Sequence, residues 1–357
     1  MKYTILAVNP GSTSTRAAVY RDTALLFEEE MKHRADELAR WGCLENQADY
    51  RKGLVLQSMK NHGVFPGELD AVVGRGGMLP PVKSGGYAVN EAMLQLLRSH
   101  RVKPHASNLG AVIAHDIAQP LGIPAYIYDA VASDEMCDVA RITGIPEISR
   151  QSFCHVLNSK ATARKAAAQM GSTYQVMNFI VAHIGGGISI SAHEKGRIID
   201  MITDDAGPFS PERAGSVPLG YIIDMCFHSG MNQDELVKKL KQNSGLKGHL
   251  GTNDGLEIER RIAEGDEKAR RIYEAQAYQI AKGIGEMAPP LFGKVDAVIL
   301  TGGLARSEYI TKDLVQRVGY LAPVKIFPGE YEMEALAMGA LRIMRGEESV
   351  SYIEDIL

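Results

Sequence analysis

The chain has 357 residues, a formal net charge of −4 and 45% hydrophobic residues. This length predicts two domains or one large one, with a core that needs no disulfides. The mild negative charge, without a basic block, argues against a nucleic-acid partner. The four cysteines are far apart and include no CxxC pair, which is typical of thiols in a reducing compartment.

The first half of the chain predicts a β-meander followed by alternating helices and strands. Its opening apolar run stops at Asn9 and Pro10 and is too short for a signal peptide, and no later segment is long enough to span a bilayer. We therefore expect a cytoplasmic protein without membrane contact. The pattern predicts strands at 3–8, 15–20, 24–31, 69–77 and 124–130, and helices at 46–62, 90–99 and 106–118.

A similar plan recurs in the second half. Residues 178–201 predict three strands joined by turns, followed by helices over 232–241 and 256–287. A buried strand over 295–303 and a final helix over 333–345 complete the pattern. The economical interpretation is an α/β fold that contains a duplicated domain, with a cleft between the two copies.

The first predicted strand is followed by an unusual turn, NPGSTSTR (9–16). Gly11 permits close backbone approach, the following hydroxyl groups can donate to an anion, and Arg16 suits phosphate oxygens. The alternative is a hairpin turn that happens to be rich in Ser and Thr. The stretch is not a Walker A loop, because no GK[ST] follows it.

Two further strand ends are rich in glycine. HIGGGISIS (183–191) places three glycines between apolar strands, and TGG (301–303) ends a strongly apolar strand. Such turns are costly unless something approaches the backbone. A bulge or a crowded strand crossing is the structural alternative, but three glycine-rich strand ends favour one ligand with several phosphates.

Several reactive side chains lie at element junctions. Asp129 ends a strand, His105 and His155 precede helices, and Arg213 lies in a loop rich in Gly and Pro. Each of them taken alone has a structural or solvated alternative. Glu332 and Glu334 begin the last helix, where acidic residues also match the helix dipole.

The ordered set of motifs resembles the acetokinase family. Seven motifs occur in the family's order over nearly the whole chain: NPGSTSTR, RGG (75–77), PHASN, YDA, AHIGGGISI, PERAGSVPLG and LTGGLARSE. Their particular residues are similar to those of the family members that act on butyrate. The family belongs to the actin, sugar-kinase and heat-shock ATPase superfamily. The resemblance implies two ββαβαβα-type domains with the active site in the interdomain cleft.

The resemblance also implies the reaction and the domain bounds. We expect a reversible, Mg²⁺-dependent phosphoryl transfer between ATP and a short-chain carboxylate, with butyrate as the acid, by a homodimer or higher homo-oligomer. The first domain would comprise 1–150, with part of the C-terminal helix (335–357) a candidate to pack back on it. The second, nucleotide-binding domain would comprise 151–357.

By position, the resemblance assigns roles to individual residues. Asp129 and Glu334 would serve the Mg²⁺ site, and His155 and Arg213 would stabilise the transferring phosphoryl group, with Asp129 and Arg75 also counted among the catalytic residues. His105 matches a site histidine of the family and would contact the substrate. The nucleotide and its phosphates would be bound by Asn9, Ser12, Ser14, Arg16, His183, Gly185, Gly186, Gly187, Gly302 and Gly303.

Two departures from the family pattern affect the substrate site. Arg75 stands where acetate kinases have the histidine of His-Gly-Gly, and the arginine that precedes that motif is missing, so Arg75 is expected to bind the substrate carboxylate from a shifted position. Cys154 stands where they have phenylalanine. A smaller side chain there would enlarge an acyl pocket, whereas the alternative is a core thiol that faces away from it.

Other functions remain open on the sequence alone. The acid could instead be isobutyrate, propionate or acetate, and a sugar kinase would use Asp129 as its base. A non-catalytic nucleotide-dependent regulator could keep the glycine turns but would not need Arg213, His155 and Asp129 together.

Overall fold

The structure, a computed structural model, describes residues 2–44, 46–99 and 101–356. They form two compact units: the first contains the residues up to Asp134 and those from Tyr331 onwards, and the second is Glu135–Glu330. The domain bounds expected from the sequence divide the chain at 150, whereas residues 135–150 lie in the second unit here. No helix among the described residues is long and apolar enough to cross a membrane.

The strands of both units begin as an antiparallel meander. Their bounds in chain order are β1 (Thr4–Pro10), β2 (Ser14–Arg21), β3 (Ala24–Lys32), β4 (Ala71–Arg75), β5 (Gly86–Ala88), β6 (Ala125–Tyr128), β7 (Asn178–Ile184), β8 (Ile188–Glu194), β9 (Arg197–Ile202), β10 (Ala297–Gly302) and β11 (Val324–Pro328).

Helices connect the later strands of each sheet. Their bounds are α1 (Ala35–Ala39), α2 (Gln47–Asn61), α3 (Glu91–Arg98), α4 (Asn108–Ala118), α5 (Asp138–Arg141), α6 (Val156–Gln169), α7 (Leu219–His228), α8 (Gln233–Gln242), α9 (Gly245–Leu250), α10 (Gly255–Ala263), α11 (Glu267–Glu286), α12 (Glu308–Val318) and α13 (Glu332–Met344).

The two sheets share one topology over five strands, and β5 adds a sixth strand, antiparallel to β6, to the first sheet. Their orders are β3-β2-β1-β4-β6-β5 and β11-β10-β7-β8-β9. In each sheet the first three strands pair antiparallel, and a later strand then joins the first of them in parallel, as β4 joins β1 and β10 joins β7. Parallel pairing requires a crossover, which the helices supply. This arrangement confirms the predicted α/β fold with two similar halves.

Central strands are buried along their full length, which explains their continuous apolar sequences. Every residue of β1 and of β10 is buried. In the first unit α4 packs so closely on β4 that a Cβ on Gly74 would collide with the backbone of Gly110. Glycine at these two positions therefore sets the distance between helix and sheet, and with it the place where the carboxyl end of β4 lies.

The predicted strands and most predicted helices are confirmed, with one division: 256–287 forms two helices, α10 and α11. The sequence pattern did not predict α1, α5, α6, α7, α9, α12, β5 or β11. Helix α6 has ten buried residues among its 14, and several of them are polar. A helix covered on most sides has no apolar stripe, so periodicity cannot reveal it.

Candidate active-site residues of each unit

The turn after β1 is closed by its own backbone. The amide of Gly11 donates to the carbonyl oxygen of Ser14 at 2.7 Å, and Ser12 is exposed. The Ser14 hydroxyl donates to Glu30 Oε1 at 2.9 Å, and Arg16 Nε lies 3.7 Å from the same oxygen. Glu30 thus engages two of the predicted phosphate ligands, a competition that the sequence did not indicate.

Arg51, which the sequence pattern did not indicate, stabilises this turn through hydrogen bonds from its guanidinium group. Its side chain is fully buried. The Nη1 atom donates to the carbonyl oxygens of Gly11 at 2.8 Å and Ser14 at 3.1 Å, and to Thr15 Oγ1 at 3.0 Å. Burial lowers the pKa of Arg51, but arginine keeps its charge in proteins. A buried cation therefore fixes the conformation of the turn.

The end of β1 meets the start of α13 through a polar cluster. Asn9 Nδ2 donates to Glu332 Oε2 at 2.6 Å, and both residues are buried. Arg75 Nη1 lies 3.3 Å from the same carboxylate oxygen and 3.5 Å from Asn9 Oδ1. The cluster thus contains Glu332, whereas the sequence had assigned Glu334 to the metal site.

Glu334, the predicted metal ligand, lies two residues after Glu332 on α13. It is partly buried and contributes, after burial and Glu28, to a raised pKa of Tyr20. Residues two apart on a helix do not share a face. The two glutamates therefore lie on different faces of α13, and the metal role of Glu334 stays a prediction.

Asp129 follows β6 in a strained conformation. It is buried, its φ is +42°, and its Oδ1 accepts a hydrogen bond from the Gly85 amide at 2.9 Å. A positive φ is uncommon outside glycine, and Asp tolerates it better than most residues. Such strain often accompanies functional positions, which agrees with the expected importance of Asp129.

The glycines of RGG have a packing role. A Cβ on Gly76 would lie 2.7 Å from the Ala130 Cα, and one on Gly77 would lie 2.8 Å from the Asn108 Cα. These contacts bring the end of β4 against the residue that follows Asp129 and against the first turn of α4. Arg75 and Asp129 are therefore held at the same edge of the first sheet.

His105 lies near Arg75. Burial of its ring, followed by the positive charge of Arg75, lowers the pKa of His105. The His105 Nδ1 atom accepts a hydrogen bond from the Ser107 amide at 3.2 Å, which places the proton of the neutral ring on Nε2. The first unit thus brings together one permanent cation and one neutral imidazole.

In the second unit the three glycines between β7 and β8 have different surroundings. The Gly185 amide donates to the Gly187 carbonyl oxygen at 3.1 Å. A Cβ on Gly187 would lie 2.8 Å from Arg213 Nη1, whereas one on Gly186 would meet nothing within 4 Å. Gly186 is also exposed, so its backbone is open to a ligand.

His155 and His183 stack beside this turn. Their ring centroids are 3.8 Å apart and their planes are inclined by 6°. His155 Nδ1 lies 2.8 Å from Ser189 Oγ, and His183 Nδ1 lies 3.0 Å from Asn158 Nδ2. Since the Nδ2 atom of Asn158 can only donate, His183 Nδ1 accepts, and the neutral His183 ring carries its proton on Nε2. The sequence missed Asn158 because it missed helix α6.

Arg213 is paired with a carboxylate that the sequence analysis did not single out. Asp204, which is buried, forms an ion pair with Arg213 Nη1. Burial lowers the pKa of Arg213. Ser210 links the loop to the glycine turn, because its Oγ donates to the Gly186 carbonyl oxygen at 2.7 Å and accepts from the Arg213 amide at 3.2 Å. Asp204 follows β9 closely, as Asp129 follows β6, so the same strand-end rule would have identified it.

A cavity of about 420 Å³ opens beside the glycine-rich strand ends of the second unit. Gly185, Gly186 and Gly303 line it. Gly302 has a φ of +91°, and a Cβ there would lie 2.6 Å from the Ile184 carbonyl oxygen. The other lining residues, to which the sequence assigned no individual role, are Pro211, Asn253, Asp254, Gly255, Leu256, Glu259, Tyr273, Leu304, Arg306 and Ser307.

Cys154 lies in an apolar cluster that also contains Met136, Ala140, Val156, Ile198 and Met201. This packing is what the alternative, a core thiol, predicts, and the acyl-pocket role of Cys154 stays a prediction. The packing lends no support to the expectation that its small size enlarges an acyl pocket.

Among the described residues, no group of three or more His, Cys, Asp or Glu side chains could hold a metal ion. Mg²⁺ does not require one, because it usually binds one or two carboxylates together with substrate phosphates and water. The carboxylate of Glu332 and the amide oxygen of Asn9 have the oxygen chemistry that Mg²⁺ prefers.

The comparisons with known proteins agree with this geometry. A sequence model of the Acetokinase family matches residues 148–328. The acetate kinase of Porphyromonas gingivalis has a TM-score of 0.76 and 19% identity, covering 97% of this chain and 100% of that chain. A propionate kinase from Francisella tularensis has a TM-score of 0.75 and 19% identity, covering 94% and 98%.

The acetate kinase of Entamoeba histolytica is similar to the same degree. Its TM-score is 0.75 at 18% identity, with 94% of this chain and 98% of that chain covered. At these identities the structural likeness establishes the fold, and the matched family model adds the sequence relationship. The chain belongs to the acetokinase family.

Proposed function

We propose that the protein is a butyrate kinase, which transfers the γ-phosphoryl group of ATP to butyrate and forms butanoyl phosphate and ADP. The observation that carries this proposal is the second unit's glycine turn at 185–187, which borders a 420 Å³ cavity on one side and Arg213 on the other. Family membership supports a carboxylate acceptor, and the particular residues of the motifs support butyrate.

The chemistry explains why the proposed groups are cations and oriented N–H groups rather than a Ser-His-Asp set. A carboxylate is already a nucleophile at neutral pH. One of its oxygens bonds to the γ-phosphorus while the bond to the β–γ bridging oxygen breaks, and no proton has to move. The protein must offset the repulsion between two anions and neutralise the equatorial oxygens of a loose transition state.

The second unit offers the groups for the nucleotide and the transferring phosphoryl. Exposed backbone at Gly186 and Gly303 leaves room for phosphate oxygens to approach N–H groups. Arg213 would neutralise developing charge, with Asp204 fixing its guanidinium. The His183 ring, held by Asn158, would direct its Nε2–H towards the same turn.

The first unit offers groups for the acid and for Mg²⁺. Arg75 and His105 are proposed to bind the substrate carboxylate. Bound Mg²⁺ would neutralise phosphate charge, and Asn9 with Glu332 would hold it, in addition to the expected Asp129. Ser12 would contribute to phosphate binding, whereas Ser14 and Arg16 would have to leave Glu30 to do so.

The test is an acyl-hydroxamate assay with ATP, Mg²⁺ and a series of acids: acetate, propionate, butyrate, isobutyrate and valerate. We expect the highest kcat/KM with butyrate and no product when Mg²⁺ is chelated. Hexoses, assayed by ADP release, should give no turnover; turnover with a hexose would instead support the sugar-kinase alternative, in which Asp129 is the base.

Matched arginine variants separate chemistry from general charge effects. Arg213→Ala should lower kcat by about 10³-fold, whereas Arg260→Ala, at an exposed ion pair, should leave kcat unchanged. Absence of acyl phosphate with every acid would reject the function, and a higher kcat/KM with acetate or isobutyrate would reject butyrate alone.

A further inference from the structure

Tyr128, the residue directly before Asp129, is fully buried, and its hydroxyl lies between two charged side chains. The hydroxyl donates to the carboxylate of Glu348, at 2.6 Å from Oε2 and 2.8 Å from Oε1. It accepts a hydrogen bond from Arg342 Nη2 at 2.6 Å, and Arg342 Nε donates to Glu348 Oε2 at 3.0 Å. Each of these three side chains, which we call the tyrosine clamp, is therefore bonded to both of the others.

The ring of Tyr128 is enclosed by two glycines. A Cβ on Gly339, in α13, would lie 2.5 Å from carbons of the ring, and one on Gly86, in β5, would lie 3.3 Å from Cδ2. The Arg342 guanidinium carbon lies 5.2 Å from the ring centroid, which is within the range of a cation–π contact. A shift of the ring would therefore require movement of α13 or β5.

Glu348 also lies beside the glycine that holds Asp129. The Gly85 amide donates to Asp129 Oδ1 at 2.9 Å, and the Gly85 carbonyl oxygen accepts from the Asp129 amide at 3.0 Å. Gly85 has a φ of +116°, and a Cβ there would lie 3.1 Å from Glu348 Oε1. The clamp thus adjoins Asp129 through its chain neighbour Tyr128 and again through Gly85.

The chain after α13 holds Glu348 in place. The Ser351 amide donates to the Gly86 carbonyl oxygen at 2.9 Å, and the Ala88 amide donates to the Ser351 carbonyl oxygen at 3.0 Å. Gly86 is in turn the register partner of Tyr128 between β5 and β6. This C-terminal segment is therefore anchored directly beside the clamp.

We propose that the tyrosine clamp positions the Asp129 carboxylate, so that Tyr128, Arg342 and Glu348 are positioning residues for the reaction. Asp129 has a φ of +42°, and such strain persists only where the surrounding structure over-determines it. The clamp supplies that restraint from two directions. Its effect on catalysis, unlike the restraint itself, rests on the proposed role of Asp129.

Packing and stability alone do not account for the clamp. Phenylalanine would fill nearly the same space as Tyr128 without a buried hydroxyl that needs hydrogen-bond partners. The side chains of Arg342 and Glu348 are 25% and 26% exposed, and ion pairs that reach solvent contribute little to stability. The main effect of the charged pair is therefore on the geometry around Asp129.

The primary experiment compares Tyr128→Phe with Tyr126→Phe. The first variant keeps the ring and removes the hydroxyl, so we expect kcat to fall at least about 10-fold at a nearly unchanged KM for butyrate. Tyr126 is the matched control, because it is also buried in β6 and its hydroxyl donates to the weak acceptor Met344 Sδ at 3.7 Å. Tyr126→Phe should keep the wild-type kcat.

Three further measurements separate positioning from a loss of stability, which a melting curve records for each variant. The Gly85 and Asp129 amides should exchange hydrogen at least about 10-fold faster in Tyr128→Phe than in wild type. The dissociation constant for Mn²⁺ in the presence of ADP, measured by electron paramagnetic resonance, should rise about 10-fold. Adding Glu348→Gln to Tyr128→Phe should cost no more kcat than the larger single loss, because both residues act through one clamp. Glu348→Gln replaces Tyr128→Phe in the other measurements if the latter does not fold.

Wild-type exchange at residues 85 and 129 in Tyr128→Phe, or equal losses in Tyr126→Phe, would overturn the positioning of Asp129. Faster exchange with unchanged kcat and Mn²⁺ affinity would overturn the clamp as a device for the reaction, as would fully additive losses in the double variant. A wild type that neither binds Mn²⁺ nor turns over would reject the proposed role of Asp129, and the exchange rates alone would then decide whether the clamp restrains it.

Discussion

Replacing Gly187 with alanine provides a sharp test of the position of Arg213. The added Cβ would lie 2.8 Å from Nη1, so the guanidinium must withdraw by roughly 0.6 Å to reach ordinary contact distance. The obstructed atom is the end of a flexible side chain, so the fold should tolerate the change. Because a misplacement of about 1 Å can cost about 10²-fold in rate, we expect kcat to fall by about 10- to 100-fold, or ~1.4–2.7 kcal/mol.

Gly186→Ala is the control within the same turn. A Cβ there meets nothing within 4 Å, so Arg213 should stay in place. If ATP phosphates approach this backbone, the added methyl group should raise KM for ATP and leave kcat nearly unchanged. The assay measures kcat and KM for both substrates together with a melting curve. A wild-type kcat in Gly187→Ala, or a large loss of melting temperature, would refute the reasoning.

Three further predictions concern Asp204, Cys154 and the dependence of stability on pH. Asp204→Asn removes the charged partner of Arg213 and should lower kcat by about 10-fold or more at unchanged KM for ATP, because Arg213 loses the ion pair that positions it. Asp205→Asn, at the exposed neighbouring residue, is the control and should leave kcat unchanged. Cys154→Phe should overpack its apolar cluster and cost about 1–3 kcal/mol of stability, with equal losses of kcat/KM on acetate and butyrate; a loss confined to butyrate would return Cys154 to an acyl pocket. Burial lowers the pKa of His193, so the unfolded chain binds a proton that the folded chain does not. Stability should therefore fall as pH drops below about 6.5, by up to ~1.4 kcal/mol per pH unit for this residue. Urea unfolding at several pH values should give a flatter dependence in His193→Gln.

Local sequence signals predicted the fold because each sheet repeats the same sequence features. An apolar strand that ends in small residues marks β1, β7 and β10, and the meanders that follow β1 and β7 have clear turns. The sequence could not predict Arg51 or Asn158 as site supports. Each is a polar residue on a helix, and only the tertiary contacts distinguish it from a solvated side chain.

The glycine-rich motifs separate into two physical kinds that a sequence alone cannot distinguish. At Gly76 and Gly302 a Cβ would collide with backbone of the same unit, so these glycines are required by packing and, at Gly302, by a positive φ. At Gly186 and Gly303 a Cβ meets nothing, yet both border the 420 Å³ cavity. Folding therefore does not explain glycine at the second pair, whereas close approach of a ligand to the backbone would. The phosphate-binding hypothesis consequently rests on Gly186 and Gly303 and not on the number of glycines in each motif.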